Sequence, residues 1–254
     1  MRYLILDLET LPHPKAGEWL DPVECDPALL EPILPDSRLK DPAKVAANLE
    51  DVARRIAARP AEIEASIRER TAARDEELGL DVDCNLIAAI GYHVIGRSDP
   101  FCDVTFGEEK NEGDALEHLW WEFNKDADTK FVTFYGRQFD LPVLLRRSMY
   151  LGVKYPRLSL DRWKSPHIDV WDALTYGGAL RTARSLAFYA KRMGFTTLDK
   201  VDGADVAKLA KAGQWGAIRD HCLSDVGLTH ALANRLGLLK LTPQQDVVMA
   251  GSPF

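Results

Sequence analysis

Asp7 and Glu9 close a short run, residues 3–9, that begins with Tyr3, Leu4, Ile5 and Leu6. Side chains two apart on a strand point to the same side, so these two carboxylates face one way. Asp140 follows a later strand-like run, and Asp225 lies in a late helical stretch. Hard divalent cations such as Mg²⁺ and Mn²⁺ take oxygen ligands, and Mg²⁺ is commonly held by a few carboxylates together with substrate phosphates. Brought together by a fold, the four acids suit hydrolysis of a phosphodiester with two metal ions about 3.5–4 Å apart, one activating water and one stabilising the leaving oxygen. The apolar residues before Asp7 read as a buried central strand, and an uncompensated charge at its end is costly.

The elements that must position these acids follow from periodicity and turn chemistry. After the first strand, residues 11–36 hold six of the fourteen prolines, which prevents a long helix or central strand there. Asp41-Pro42 supplies a cap and a first-turn proline for a helix carrying Val45, Leu49, Val52 and Ile56. Pro60 is expected to start a second, mostly solvated helix, the pair forming a helical hairpin. Residues 86–95 and 101–106 read as a β-hairpin, 114–124 as a helix, 130–135 as a strand, 141–150 as a helix and 167–170 as a short strand. Residues 183–239 read as helical. This order predicts an α/β fold with a ribonuclease H-like mixed five-stranded sheet flanked by helices. It also predicts one domain over residues 1–239, with a proline-rich and helical insertion at 12–80 after the first strand, and a tail at 240–254.

Three segments then carry a family resemblance. Leu6-Asp-Leu-Glu-Thr10, Gly136-Arg-Gln-Phe-Asp-Leu-Pro-Val-Leu144 and His221-Cys-Leu-Ser-Asp-Val226 resemble, in order and spacing, the exonuclease motifs of the DEDD 3′–5′ exonucleases. They are most similar to the bacterial and phage group likened to the proofreading domain of family B DNA polymerases, which also carries an I-D-x-x-D segment, here Ile168-Asp-Val-Trp-Asp172. The resemblance covers about residues 2–239, apart from the proline-rich stretch. It implies a metal-dependent 3′–5′ exonuclease that removes mononucleotides from single-stranded nucleic acid, DNA favoured, using two divalent cations, Mg or Mn. By the same resemblance Asp7 bridges both ions, Glu9 and Asp225 complete the site of the water-activating ion, and Asp140 holds the second. His221 stands where the family's late motif has tyrosine. Spacing i to i+4 on a helix keeps His221 and Asp225 on one face. An imidazole with an ordinary pKa of ~6.5 takes a proton near neutral pH, whereas a phenol at ~10 mainly orients water. His221 is therefore expected to act as general base or to orient water, the alternative being a surface helix residue beside Asp220.

Thr10 and Leu11 resemble the family's contact with the terminal nucleotide, with Leu11 as a wedge, although a packing leucine is an equal reading. Phe139 is a further candidate against the substrate end or, alternatively, a core residue. Asp169 reads as a carboxylate near the site or as a helix cap. Two rivals stand beside this reading: an exoribonuclease on the same fold, and an inactive ribonuclease H-like binding module that contacts a partner through its helical insertion. That insertion is also a candidate dimer contact.

Composition bounds the rest. At 254 residues, 46% hydrophobic and 28% charged, the chain can bury a sizeable core. It shows neither a membrane-length apolar run nor a signal sequence, and Cys25, Cys84, Cys102 and Cys222 form no metal-binding or disulfide pattern, so a cytoplasmic setting is expected. The net charge of −7 opposes nucleic-acid binding at first sight. Residues 131–200, however, hold twelve Lys and Arg against five Asp, a net of +7, leaving −14 on the rest. With Tyr150, Tyr155, Trp163, Trp171 and Tyr176 in the same segment, the stretch surrounding the second motif reads either as a phosphate-tracking groove with stacking platforms or as charges scattered on unrelated faces.

Overall fold

A computed structural model describes residues 1–97, 99–162, 164–180, 184–195 and 199–240. The chain divides into two compact units, one of Met1–His13 with Gly79–Phe254 and the other Pro14–Leu78.

The first unit is built on a five-stranded sheet. Its strands are β1 (Arg2–Pro12), β2 (Asn85–Val94), β3 (Phe101–Val104), β4 (Thr129–Thr133) and β5 (His167–Asp169), in the order β3-β2-β1-β4-β5. β1 and β2 pair antiparallel, as do β2 and β3, while β4 runs parallel to β1 and β5 parallel to β4. β1 is thus the central strand, as its apolar sequence predicts, and the sheet is the mixed ribonuclease H-like one. Leu4, Leu6 and Leu8 pack with Leu116, Trp120, Phe131, Leu141 and Leu144 on one face. Tyr3 and Ile5 pack with Val132, Val170, Leu186, Val226 and Leu232 on the other. By this alternation Asp7 and Glu9 belong to the second face.

Helices cover both faces. They are α3 (Glu109–Phe123) and α4 (Asp140–Leu151) on the first, and α5 (Val170–Leu174), α6 (Leu186–Arg192), α7 (Val206–Lys211) and α8 (Trp215–Arg235) after β5. The stretch expected to be helical from 183 onward is three separate helices, since Ser185, Asp202 and Gly213 restart or end them by capping and a left-handed turn. Gly91 on β2 sits opposite Asp7 in the sheet register. A β-carbon there would lie 2.7 Å from Cys222 Sγ and 3.2 Å from Val226 Cγ2. Glycine therefore lets α8 lie close against the strand pair that carries Asp7.

The second unit holds α1 (Ala16–Trp19), a turn of 3-10 helix at Pro27–Leu30 and one long helix, α2 (Pro42–Glu77). Asp41 caps α2 by accepting from the N–H groups of Ala43 and Lys44. The expected hairpin is corrected: α2 runs unbroken through Pro60. Proline removes one intrahelical bond, to the Ile56 carbonyl, and the alanine- and arginine-rich turn before it favours helix strongly enough to carry the element across. The irregular stretch before α2 is stitched along it. Asp36 N–H donates to Asn48 Oδ1 at 2.9 Å, Asp26 N–H to Ser66 Oγ at 3.0 Å, and Arg59 donates to the Leu29 carbonyl at 2.7 Å. The expected tail lies, from residue 241 on, outside the described residues.

Candidate active site

The expected strand end is corrected: β1 continues past Glu9 to Pro12 through a register shift between Glu9 and Thr10, so Asp7 and Glu9 lie within the strand. Asp7 and Glu9, with Cys222 of α8, offer ligand atoms all within 4.8 Å of one another, and so do Asp199, His221 and Asp225. The Cys222 thiol donates to the Asp7 carbonyl at 3.5 Å, tying α8 to β1. Asp140, the first residue of α4, arrives from the other side: β4 ends at Thr133, so β1 is unpaired on that side beyond Ile5, and the Leu8 N–H reaches the Asp140 carboxylate instead.

Burial and one another's charges raise the pKa values of the four acids. Burial, then the charges of Asp225, Glu9 and Asp140, pushes the Asp7 carboxyl far above the usual carboxylate range. Burial, then Asp225 and Asp140, does the same to Glu9. Burial raises Asp140 to about 7, against the hydrogen bonds from its own N–H and that of Leu8, and raises Asp225 to about 6, against the attraction of His221. The attraction of His221 for Asp225 offsets this crowding of four carboxyl groups only in part, and a divalent cation, which favours their ionised form, fits such an oxygen donor set.

His221 is 6% exposed, so it is no surface residue. Its Nε2 lies 3.4 Å from Glu9 Oε1 and its Nδ1 lies 2.5 Å from Asp199 Oδ2. Asp199 went unnoticed in the sequence. It lies 22 residues from His221 in a segment with two further aspartates, and nothing in its spacing announces the contact. A carboxylate on Nδ1 fixes the ring and turns Nε2 toward the acids.

The segment between β4 and α4 is held by specific contacts. At Gly136 a β-carbon would lie 2.0 Å from Thr133 Oγ1, so no other residue fits without displacing Thr133. Asp169 accepts from Tyr135 N–H at 2.9 Å and Trp171 N–H at 3.0 Å through Oδ1, and from Arg137 N–H at 3.0 Å through Oδ2. It is both a helix cap and the clamp on the loop that delivers Asp140. Arg137 and Arg162 ion-pair with Asp172, which accounts for the second acid of the I-D-x-x-D segment.

Residues 82–246 match the family described as predicted 3'-5' exonuclease related to the exonuclease domain of PolB. The chain belongs to that family. No curated protein matches it. The match takes in Asp140, His221 and Asp225 of this exonuclease-family chain but begins after β1, so Asp7 and Glu9 join the site through the sheet register and the contacts of α8 with β1. Other expected contacts fare differently. The Thr10 hydroxyl donates to the Gly79 carbonyl at 2.6 Å, Leu11 is half-buried, and Phe139 packs on the core of the first face. The basic segment is thinner than its charge count, because Arg147 is buried in an ion pair with Glu112, Arg146 pairs with Asp83, and Arg137 and Arg162 are taken by Asp172. Trp163 and Arg181 lie outside the described residues. Among the described residues no helix is long and apolar enough to cross a membrane.

Proposed function

We propose that this family member is a metal-dependent 3′–5′ exonuclease that hydrolyses the terminal phosphodiester of single-stranded nucleic acid, DNA favoured. The observation that carries the reading is the gathering of Asp7, Glu9, Asp140 and Asp225 at one sheet edge, beside a buried histidine held by Asp199. In this reading Asp7 would hold both cations, Glu9 and Asp225 the first and Asp140 the second, either Mg or Mn. When bound, the ions supply the Lewis acidity that activates water and offsets charge on the leaving 3′ oxygen. His221 Nε2, facing Glu9 across 3.4 Å, takes a proton from the attacking water or orients it, while Asp199 keeps the ring from turning. The phosphodiester breaks at the 3′ oxygen of the penultimate nucleotide and releases a mononucleotide.

The active domain in this reading is residues 1–239, interrupted by the insertion at 12–80. The free cysteines suit a cytoplasmic setting. The test is degradation of 5′-labelled DNA and RNA oligomers with Mg²⁺ and with Mn²⁺, wild type beside Asp7→Ala. Stepwise shortening from the 3′ end, abolished in Asp7→Ala, is expected. Wild-type protein that binds metal and leaves both polymers intact would refute the proposal.

A further inference from the structure

Among the described residues, three other than glycine adopt a left-handed backbone, and all three are aromatic: Phe106 at φ 57°, Tyr135 at φ 66° and Tyr176 at φ 51°. Such a φ suits glycine, asparagine or aspartate, and a bulky side chain there is strained. Burial does not account for the choice, since the three are 54%, 42% and 77% exposed. The strain is held in place by the surroundings. Around Phe106, Thr105 N–H donates to the Ala88 carbonyl at 2.9 Å and Thr105 Oγ1 to that of Ile87 at 2.6 Å. Tyr135 N–H is clamped on Asp169.

Topology places two of these aromatics, Phe106 and Tyr135, along the edge that holds the carboxylates. β3, β4 and β5 all run parallel to β1, so the segments following them emerge where Asp7 and Glu9 lie. Glu9 pairs with Ala89, which pairs with Val104, so Phe106 leaves β3 just beyond the level of Glu9, two strands to one side. Continuing the pairing of Ile5 with Val132 brings Tyr135 level with Leu8, one strand to the other side. Three strand spacings are about 14 Å, roughly four base-stacking intervals. Each of these two rings has a half-buried tryptophan edge-on behind it, Trp215 at 5.6 Å from Phe106 and Trp171 at 5.0 Å from Tyr135.

We propose that Phe106 with Trp215, and Tyr135 with Trp171, are base-stacking platforms on opposite sides of the carboxylate cluster. The ligand is a single-stranded polynucleotide gripped by the faces of its unpaired bases, which makes recognition indifferent to sequence and excludes a paired end. This inference rests on the nuclease reading, whose acids it flanks.

The test measures binding of a fluorescein-labelled oligothymidylate ten nucleotides long, and of a base-free oligomer of the same length, by anisotropy in Ca²⁺. Shortening of labelled DNA is followed separately in Mg²⁺. Wild type is expected to bind the base-bearing oligomer at least tenfold tighter. Phe106→Asn and Tyr135→Asn should each weaken that binding by about 5- to 150-fold, with Tm unchanged or raised because asparagine tolerates the left-handed backbone. Trp121→Ala, which removes an exposed aromatic on α3 with ordinary helical backbone, should leave it as it was. Equal binding of the two oligomers by wild type, or full affinity in both asparagine variants, overturns the platforms even if DNA is shortened. Base-dependent binding without any shortening upholds the platforms and defeats the nuclease reading instead.

Discussion

Removing Arg147 should cost far more than its distance from the acids suggests. Arg147 and Glu112 are 1% and 0% exposed, on α4 and α3. Nε and Nη2 of the arginine each donate to a different Glu112 oxygen at 2.7 Å, and the Ile87 N–H of β2 donates to Oε1 at 3.0 Å. Arg147→Met leaves the Glu112 carboxylate buried with a single backbone donor. Breaking a buried pair from one side costs about 3–5 kcal/mol, an uncompensated charge being worse than none. For a chain of this size that corresponds to a fall in Tm of roughly 6–20 °C. The double variant Arg147→Met with Glu112→Gln removes both charges and keeps an oxygen for Ile87, so it should recover most of the loss. Urea unfolding of wild type, both single variants and the double variant gives the coupling directly. A single-variant cost under about 1 kcal/mol, or a double variant that loses the sum of the two, would refute this account. Because α4 begins at Asp140, the pair also holds one of the four acids in place.

Gly91→Val should leave a folded sheet with α8 pushed outward, given the 2.7 Å approach to Cys222 Sγ; a fall of tenfold or more in Mn²⁺ affinity by calorimetry is expected, and unchanged affinity would contradict it. Buried His230 and half-buried His167 have pKa values pushed down to about 4 and about 3, chiefly by desolvation. The unfolded chain takes up these protons near pH 6.5 and the folded chain does not, so stability is full above that pH. It should fall by up to about 1.4 kcal/mol per pH unit per histidine as the pH drops toward 4. His230→Leu should flatten that slope in urea titrations run from pH 7 to pH 4, and an unaltered slope would show that His230 does not contribute.

The sheet was legible because its inner strands are apolar runs of strand length, and β1 announces its central place by the run from Tyr3 to Leu6 before Asp7. The acids were legible as candidates from local pattern: Asp7 and Glu9 follow an apolar strand run, Asp140 starts α4, and Asp225 stands one helical turn after His221 in α8. Asp199 was not, because a non-local contact to His221 Nδ1 leaves no periodic trace. The continuous α2 was hidden by Pro60, whose local cost the flanking helix formers outweigh. Charge counting overstated the basic segment because it could not see Arg147 turned inward to Glu112. Phe106 and Trp215 escaped notice because a left-handed backbone at a phenylalanine is a property of the fold around it.

The two ends of the 14–78 unit come from nearly one point, since a β-carbon on Gly79 would lie 3.4 Å from Pro12 Cδ and the Gly79 carbonyl takes the Thr10 hydroxyl. β1 and β2, neighbours that a tight hairpin could join, are instead separated by a loop of about seventy residues, whose closure costs roughly 2–3 kcal/mol more than that of a four-residue turn. The central strand is thus the one whose pairing is entropically most expensive. A chain in which the first dozen residues failed to dock would leave β2 and β4 without the strand that separates them, an unpaired edge on each open to any extended chain.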